Sequence, residues 1–344
     1  MMKMHQVVTK FGILLTFAVV TIVAVGPSAN AQDTTAQAAS IKGDGGKVRV
    51  LFNPLGTQAW PVYAMRKYGL ANKYGFELQT VSFATPQASI TNMQSGGADI
   101  GVFGWSEIAR MRNAGIKIVG IAPALRWANF VLVPTESSVQ NLGELKGKKV
   151  GVDSRNNVNW LIIRAVAQKV YQLNVEKDFI IQEAGMGLLR GLQEQGKLDA
   201  TVTYNSFMPA MVGSGKLRVL TTIESLLGQL GPTQTPSMLY AAETNFAAAN
   251  PRNVKAFLAA LQEATEKLRT DDAIWGEHAK DVQVTDEKVL ALLRDGVRQD
   301  LMTRFTPTSE AQIKTVFDVL LAASGPQALG MSQLPEGFMT LDYQ

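Results

Sequence analysis

The chain has 344 residues, of which 46% are hydrophobic. This is too many residues for a domain with one compact core, but it suits two lobes of ordinary size. Its formal net charge is only +4 at pH 7 and no run of five like charges occurs, so nucleic acid is not an expected partner. Cysteine is absent, which excludes disulfides and thiol chemistry.

The first residues have the pattern of a secretory signal peptide. Lys3 and Lys10 precede an apolar run over 11–25, and small residues up to Ala31 supply a cleavage site. The run has about fifteen residues, fewer than the roughly twenty that a membrane-spanning helix needs. We therefore predict a signal peptide over 1–31, export with cleavage near Ala31, and a flexible leader over 32–46.

Strands and helices alternate in the first half of the mature chain. The predicted strands cover 48–52, 77–83, 100–103 and 116–121, and the predicted helices between them cover 60–68, 87–95 and 107–113. Thr85 and Pro86 suit a helix start, because a proline in the first turn gives up no hydrogen bond. Repeated strand–helix units predict an α/β fold with mostly parallel strands.

The pattern restarts after an extended segment at 130–133. Here the predicted strands cover 150–152, 179–182 and 200–203, the helices cover 158–171 and 188–195, and a return strand covers 237–242. Beyond Pro251 the chain is nearly all helical, over 254–268, 287–293 and from a capping box at 309–312. Since these helices have no strands of their own, we expect them to cover lobe 1. The expected division is residues 47–131 plus 238–344 for lobe 1 and residues 132–237 for lobe 2.

A short motif occurs twice, about a hundred residues apart. In residues 96–101 and again in 196–200, glycine ends a helix and an aspartate precedes an apolar strand. Together with segments 56–77 and 142–151, these motifs make the chain resemble the periplasmic substrate-binding proteins of ABC importers. The resemblance is strongest to the group serving alkanesulfonates, taurine, nitrate and the thiamin pyrimidine precursor. It implies a two-lobed periplasmic-binding-protein (type II) fold with a ligand cleft between the lobes, a location in the periplasm, and a monomer that works with an ABC permease and its cytoplasmic ATPase.

The loops after the predicted strands supply the candidate site. In open parallel sheets, ligands bind at the carboxyl ends of strands, where helix amides point outward. Arg155, at a predicted helix start, could pair with a carboxylate or sulfonate or could be a solvated loop residue. Trp60 and Trp160 could instead face the core, and Thr85 and Ser106 could cap their helices. The expected ligand-binding residues are Asn53, Gly56, Thr57, Trp60, Thr85, Gln87, Gly104, Trp105, Ser106, Trp127, Ser154, Arg155, Asn156, Asn157, Gly185, Met186, Tyr204 and Asn205.

The sequence gives little support for catalysis. After cleavage His278 is the sole histidine, so a Ser-His-Asp triad and histidine metal sites lack their parts, and no phosphate loop follows a strand. We expect no cofactor, no metal and no enzymatic activity. The favoured function is delivery of a small organic anion, sulfonate-like, carboxylate-like or aromatic, to an ABC permease. The alternatives are a sensor or adaptor on the same fold, a binder of nitrate or a pyrimidine precursor, and an exported enzyme of carboxylate chemistry.

Overall fold

Two separate five-stranded sheets organise the protein. The computed structural model describes residues 41–83, 85–231 and 235–344. The sheet orders are β2-β1-β3-β10-β4 and β7-β6-β8-β5-β9. Within the described residues the strands are β1 (Lys47–Phe52), β2 (Glu77–Ser82), β3 (Ile100–Gly104), β4 (Ile118–Leu125), β5 (Asn129–Pro134), β6 (Lys149–Val152), β7 (Ile180–Glu183), β8 (Ala200–Tyr204), β9 (Leu217–Thr222) and β10 (Met238–Glu243).

Helices cover the faces of both sheets and form most of the last hundred residues. In the described part of the chain they are α1 (Ala59–Lys67), α2 (Leu70–Lys73), α3 (Pro86–Gln94), α4 (Trp105–Asn113), α5 (Val158–Tyr171), α6 (Val175–Asp178), α7 (Met186–Glu194), α8 (Met208–Gly213), α9 (Ile223–Gly228), α10 (Thr244–Ala249), α11 (Pro251–Thr270), α12 (Ala273–Glu277), α13 (Glu287–Asp300) and α14 (Ser309–Leu329). None of the helices in those ranges combines the length and apolarity that a bilayer crossing needs. The predicted signal peptide lies outside the described residues.

Each sheet contains one strand that runs against the others. β1 pairs parallel with β2 and β3, and β10 pairs antiparallel with β3 and β4. The second sheet repeats this arrangement, with β6 parallel to β7 and β8, and β5 antiparallel to β8 and β9. The chain therefore reaches the second sheet through β5 and returns to the first through β10. The mixed α/β fold with two lobes is confirmed, and we call each sheet with its covering helices a lobe.

The duplicated glycine–aspartate motif occupies equivalent places in the two lobes. Asp99 Oδ2 accepts a hydrogen bond from the Arg49 backbone N at 2.7 Å, and the Asp99 N–H donates to the Arg49 carbonyl at 2.8 Å. Asp199 does the same with Lys149, at 2.7 and 2.9 Å. The glycine three residues before each aspartate is left-handed, with φ of 71° and 68°. The motif thus ties a helix end to the first strand of each lobe.

The carboxy-terminal helices do not all cover lobe 1, contrary to the expectation. α11 packs on α1 and α2 of the first lobe, but α14 packs on α5 and α13 packs on α8, both in the second lobe. Val316, Phe317 and Leu320 of α14 are buried in a core that also includes Val166 of α5. These helices therefore tie the lobes together. The sequence analysis also missed α8, β9 and α9, and the expected lobe boundary between residues 131 and 132 falls inside β5.

Residues 41–46, which were predicted to belong to a flexible leader, are held against the first lobe. The Gly43 N–H donates to the Tyr74 carbonyl at 2.8 Å, and the Gly45 N–H donates to the Gly75 carbonyl at 2.9 Å. The Asp44 N–H donates to Asn253 Oδ1 at 2.8 Å. These bonds fix the segment that leads into β1, so its small polar composition does not make it mobile.

Candidate functional site

A cavity of about 310 Å³ lies where strand ends of both lobes meet. Its walls come from the residues at and after the ends of β1, β3, β6 and β8, as expected for parallel sheets. The rest of the lining comes from the two connections between the lobes, which are the segment before β5 (residues 126–128) and the segment before β10 (residues 235–237). The lining residues are Gly56, Thr57, Gln58, Gly104, Ser106, Glu107, Arg110, Leu125, Arg126, Trp127, Ala128, Asn129, Asn157, Val158, Asn159, Tyr204, Asn205, Ser206, Ser237 and Met238.

Two helix starts and one arginine form the first-lobe wall. α1 and α4 both begin at the cavity, and the N–H groups of a first helical turn have no intrahelical partners and carry partial positive charge. The carboxylate of Glu107 accepts a hydrogen bond from the Gly104 N–H at 2.9 Å. In the part of the chain that the structure describes, Arg110 donates to one acceptor, the Leu329 carbonyl, at 3.4 Å. The Ala59, Trp60 and Trp105 N–H groups already donate to carbonyl oxygens. The guanidinium of Arg110 is therefore the main donor that this wall keeps for a ligand.

The second-lobe wall is an ordered network around Asn157. Its Oδ1 caps α5 by accepting from the backbone N and the Nδ2 of Asn159, each at 2.9 Å. Its Nδ2 donates at 3.2 Å to both Asp153 Oδ2 and the Tyr204 hydroxyl oxygen. The Tyr204 hydroxyl in turn donates to Asp153. Burial raises the pKa of the Asp153 carboxyl, and the three hydrogen bonds fix the orientation of each polar group.

Trp127 joins the two connections between the lobes. Its ring is 2% exposed and lines the cavity, and its Nε1–H donates to Thr235 Oγ1 at 2.9 Å. Beside it, the Asn205 N–H donates to the Ala128 carbonyl at 3.0 Å, and the Ser237 hydroxyl donates to the Arg126 carbonyl at 2.7 Å. The indole is thus held at the point where both connections cross.

A buried carboxyl, Asp300 at the end of α13, lies behind this part of the cavity. The Asn205 Nδ2 donates to Asp300 Oδ2 at 2.5 Å, and the Arg126 N–H donates to the Asp300 carbonyl at 3.0 Å. Arg126 also approaches Glu224, with 3.9 Å between Nη1 and Oε1. Burial raises the pKa of Asp300 to about 7, against the lowering effect of the Arg126 charge. The carboxyl therefore titrates near neutral pH.

Three buried polar atoms of cavity residues have no hydrogen-bond partner within the described residues. They are Nε of Arg126, Oδ1 of Asn159 and Oδ1 of Asn205. Native proteins satisfy most buried polar atoms, so ordered water or the polar groups of a ligand are the expected partners of these three.

Eight of the eighteen predicted site residues line this cavity. They are Gly56, Thr57, Gly104, Ser106, Trp127, Asn157, Tyr204 and Asn205. Each ends a strand, follows a strand end or lies in the first connection between the lobes, so the positional reasoning located the cavity. Their contacts with a ligand remain a prediction.

The other ten predicted residues do not line the cavity. Two are core tryptophans, since Trp60 and Trp105 are each 1% exposed, and the Trp60 ring lies 4.3 Å from that of Trp275. Met186 is buried in a small apolar cluster against which Tyr204 packs. The full set is Asn53, Trp60, Thr85, Gln87, Trp105, Ser154, Arg155, Asn156, Gly185 and Met186.

The polar members of this set serve local structure or face solvent. Thr85 Oγ1 accepts from the Ala88 N–H at 3.2 Å and caps α3, Asn53 Oδ1 accepts from the Leu55 N–H, and Ser154 Oγ accepts from the Asn156 N–H. Gln87, Asn156 and Gly185 are exposed. A strand-end position therefore does not by itself bring a residue to the cavity.

Arg155 is outside the cavity and is already paired. Its Nη1 lies 2.9 Å from Glu176 Oε2 and its Nε lies 3.3 Å from Glu183 Oε2. Its side chain is 45% exposed. Two carboxylates at this distance satisfy the guanidinium, so the structure does not support the anion-binding role that we expected for it.

The expected site residues did not include the two arginines of the cavity: Arg110 was missed, and Arg126 was considered as an anion-binding residue but not selected. Arg110 is one helical turn beyond Ser106, which had been selected, so the i+4 spacing on α4 could have found it. Arg126 precedes Trp127 in the connection between the lobes. Nothing local shows that Asp300, 174 positions later, lies against it.

Comparisons with known proteins agree with this architecture. A family model described as "NMT1/THI5 like" matches residues 57–272. No significant match was found among curated proteins. The periplasmic aliphatic sulphonate binding protein SsuA from Escherichia coli is similar in structure, with a TM-score of 0.68 and 19% identity over 84% of this chain and 94% of that one.

Two further solved structures have the same fold. The alkanesulfonate-binding protein SsuA from Xanthomonas axonopodis pv. citri, bound to MOPS, has a TM-score of 0.66 and 18% identity, over 86% of this chain and 98% of that chain. The periplasmic nitrate-binding protein NrtA from Synechocystis PCC 6803 has a TM-score of 0.53 and 15% identity, over 72% and 70%. The expected periplasmic-binding-protein fold is therefore confirmed.

Proposed function

The chain belongs to the NMT1/THI5-like family, and from this premise we propose that it is a periplasmic solute-binding protein that delivers a small organic anion to an ABC permease. One observation carries the proposal. Arg110, Arg126 and the starts of three helices line a single cavity between the two lobes. Helix N-termini and guanidinium groups are the donors that hold carboxylates and sulfonates in proteins.

Both guanidinium groups retain donors for a ligand. Within the described residues, the Leu329 carbonyl is the one hydrogen-bond partner of the Arg110 guanidinium, and Arg126 approaches Glu224 no closer than 3.9 Å while its Nε has no partner. Tightly paired arginines, by contrast, have short contacts with carboxylates, as Arg155 does. An anion in the cavity would therefore gain charge-assisted hydrogen bonds without breaking strong existing pairs.

The dimensions of the cavity suit a small molecule with an apolar part. Its volume of about 310 Å³ is at the lower end of the range typical of small-molecule pockets, roughly 300–1,000 Å³. Trp127, Leu125 and Met238 supply apolar lining. Two of the similar structures are named for binding sulfonates, so an alkanesulfonate is the favoured ligand class.

The proposed role needs binding and release but no turnover. We infer that the protein is exported to the periplasm, acts as a monomer and presents its ligand to a permease that works with a cytoplasmic ATPase. The expected division into a discontinuous first lobe and a second lobe inserted in it remains part of this proposal. An enzyme would instead convert its ligand into a product. If the purified protein retains its ligand unchanged, an enzymatic function is excluded.

A thermal-shift screen tests the ligand class. Ethanesulfonate, MOPS, benzoate, nitrate and a 4-aminopyrimidine are added separately to the full chain. A ligand at a hundred times its dissociation constant adds about 2.7 kcal/mol to the free energy of unfolding, so the melting temperature should rise with a sulfonate. A rise with the pyrimidine alone, or with none of the anions, would contradict the proposal.

A further inference from the structure

Asp300 connects three parts of the molecule that meet at the cavity. It is 7% exposed, and it ends α13 in the carboxy-terminal region. Its carboxylate accepts from Asn205 of the second lobe, and its carbonyl accepts from Arg126 in the connection between the lobes. Asp300 does not line the cavity itself, but both of its partners do.

The charges around Asp300 do not neutralise it by direct contact. The positive charge of Arg126 attracts an ionised Asp300, and the negative charge of Glu224 repels it. The Arg126 guanidinium approaches Glu224 at 3.9 Å and forms no ion pair with Asp300 within 4.0 Å. Arg269 of α11 donates instead to the Leu301 carbonyl. Arg298 of α13 donates to the Leu268 carbonyl and to Asp272. The nearest compensation for an ionised Asp300 is thus the amide of Asn205.

Asn205 is held in one orientation by this bond. Because an ionised carboxylate only accepts, the Nδ2 of Asn205 must point towards Asp300. The opposite atom, Oδ1, is buried without a partner in the described residues. A protonated carboxyl could donate to that oxygen, and the carboxamide would then turn so that its Nδ2 is released.

We propose that Asp300 is a positioning residue whose proton sets the orientation of the Asn205 carboxamide and the charge beside Arg126, so that the cavity holds an anion most tightly when this carboxyl is protonated. The second half of the inference rests on the proposed function. With Asp300 ionised, the group of Arg126, Glu224 and Asp300 has a net charge of −1. With Asp300 protonated, the net charge is zero, and the Nδ2 of Asn205 can take the buried position beside Gly296 that its Oδ1 now holds.

The coupling has a definite sign. An anion that binds beside Arg126 favours the protonated carboxyl, so binding takes up a proton. The pKa of about 7 for Asp300 places this exchange in the neutral range. If the anion binds only the protonated form, the dissociation constant for ethanesulfonate, which does not itself titrate in this range, rises about tenfold between pH 6 and pH 8.

The orientation of Asn205 can be tested without any ligand. In the full chain labelled with ¹⁵N-asparagine, the Asn205 side-chain NH₂ resonances are followed by NMR from pH 5 to pH 9, and they are assigned from their loss in Asn205→Ser. We expect them to shift with a midpoint near pH 7, and to stay fixed in Asp300→Asn. Asp295→Asn, an exposed residue of the same helix, is the matched control and should titrate like the unmodified chain. Resonances that do not shift with pH in the unmodified chain would overturn the inference.

Calorimetry with ethanesulfonate at pH 6 and pH 8 tests the charge effect. The unmodified chain and Asp295→Asn should lose about tenfold in affinity at pH 8, whereas Asp300→Asn should bind equally at both values. Equal pH dependence in Asp300→Asn and the control would overturn the inference. If ethanesulfonate binds at neither pH, the sulfonate proposal fails, and the ligand-free NMR titration decides the role of Asp300 alone.

Discussion

Replacing Asp300 with asparagine should stabilise the protein, and more so at higher pH. The pKa of the carboxyl is about 7 in the folded chain, against the ordinary value of 3.8. Between these two values the folded protein binds more protons at this site than the unfolded chain, so stability falls as pH rises. The loss is complete above pH 7. Since one pKa unit corresponds to 1.36 kcal/mol, the raised pKa of Asp300 lowers the free energy of unfolding, relative to its value at low pH, by about 4 kcal/mol at pH 8 but by less than 2 kcal/mol at pH 5.

Urea unfolding of the unmodified chain and Asp300→Asn at several pH values measures this difference. The advantage of the variant should grow by about 3 kcal/mol from pH 5 to pH 8 and remain constant above that. The asparagine keeps a hydrogen-bonding partner for Asn205, so packing changes little. Asp295→Asn, whose side chain is 63% exposed, should show no such growth. A constant difference between Asp300→Asn and the unmodified chain at every pH would refute the reasoning.

Three further substitutions test separate parts of the structure. Gly191→Ala in the middle of α7 meets no atom within 4 Å, so it should raise the free energy of unfolding by about 0.5–1 kcal/mol in urea titrations. Thr235→Val leaves the buried Trp127 N–H unpaired, so it should lower that free energy by about 1–3 kcal/mol and shift the tryptophan fluorescence. Gly296→Ala places a Cβ 3.1 Å from Asn205 Oδ1, so calorimetry should show weaker ethanesulfonate binding, while a helix-propensity gain of about 1 kcal/mol keeps the fold stable. Unchanged affinity in that variant would show that the Asn205 carboxamide has no role in binding.

Much of the fold could be predicted because its signals are local. The glycine–aspartate motif at Asp99 and Asp199 marks the same helix-to-strand joint in each lobe, and short apolar runs mark the strands. The segment from α8 to α9, three consecutive elements of six residues each, was missed. The packing of α14 on α5 of the second lobe was not expected, because an apolar helical face shows that a helix is buried but not against which sheet.

The candidate site could be predicted only in part, for a related reason. Strand ends identified Gly56, Ser106 and Asn157, since position along the chain determines where a strand ends. Tertiary contacts determine which charges reach the cavity. Arg155 finds Glu176 and Glu183 beside it and is removed from the site. The role of Arg126 depends on contacts with residues far along the chain, which no local pattern reveals.

Titration calorimetry of the full chain with ethanesulfonate tests the central claim most directly. We expect one molecule bound per chain, and a loss of about 1.5–3 kcal/mol in binding free energy for Arg126→Gln, because a charge-assisted contact at a partly desolvated cavity is removed. Arg190→Gln removes an equally charged arginine that pairs with Glu194 on α7, and it should bind like the unmodified chain. Equal affinity in all three proteins, or no binding of ethanesulfonate, MOPS or nitrate by any of them, would contradict an anion site between the lobes.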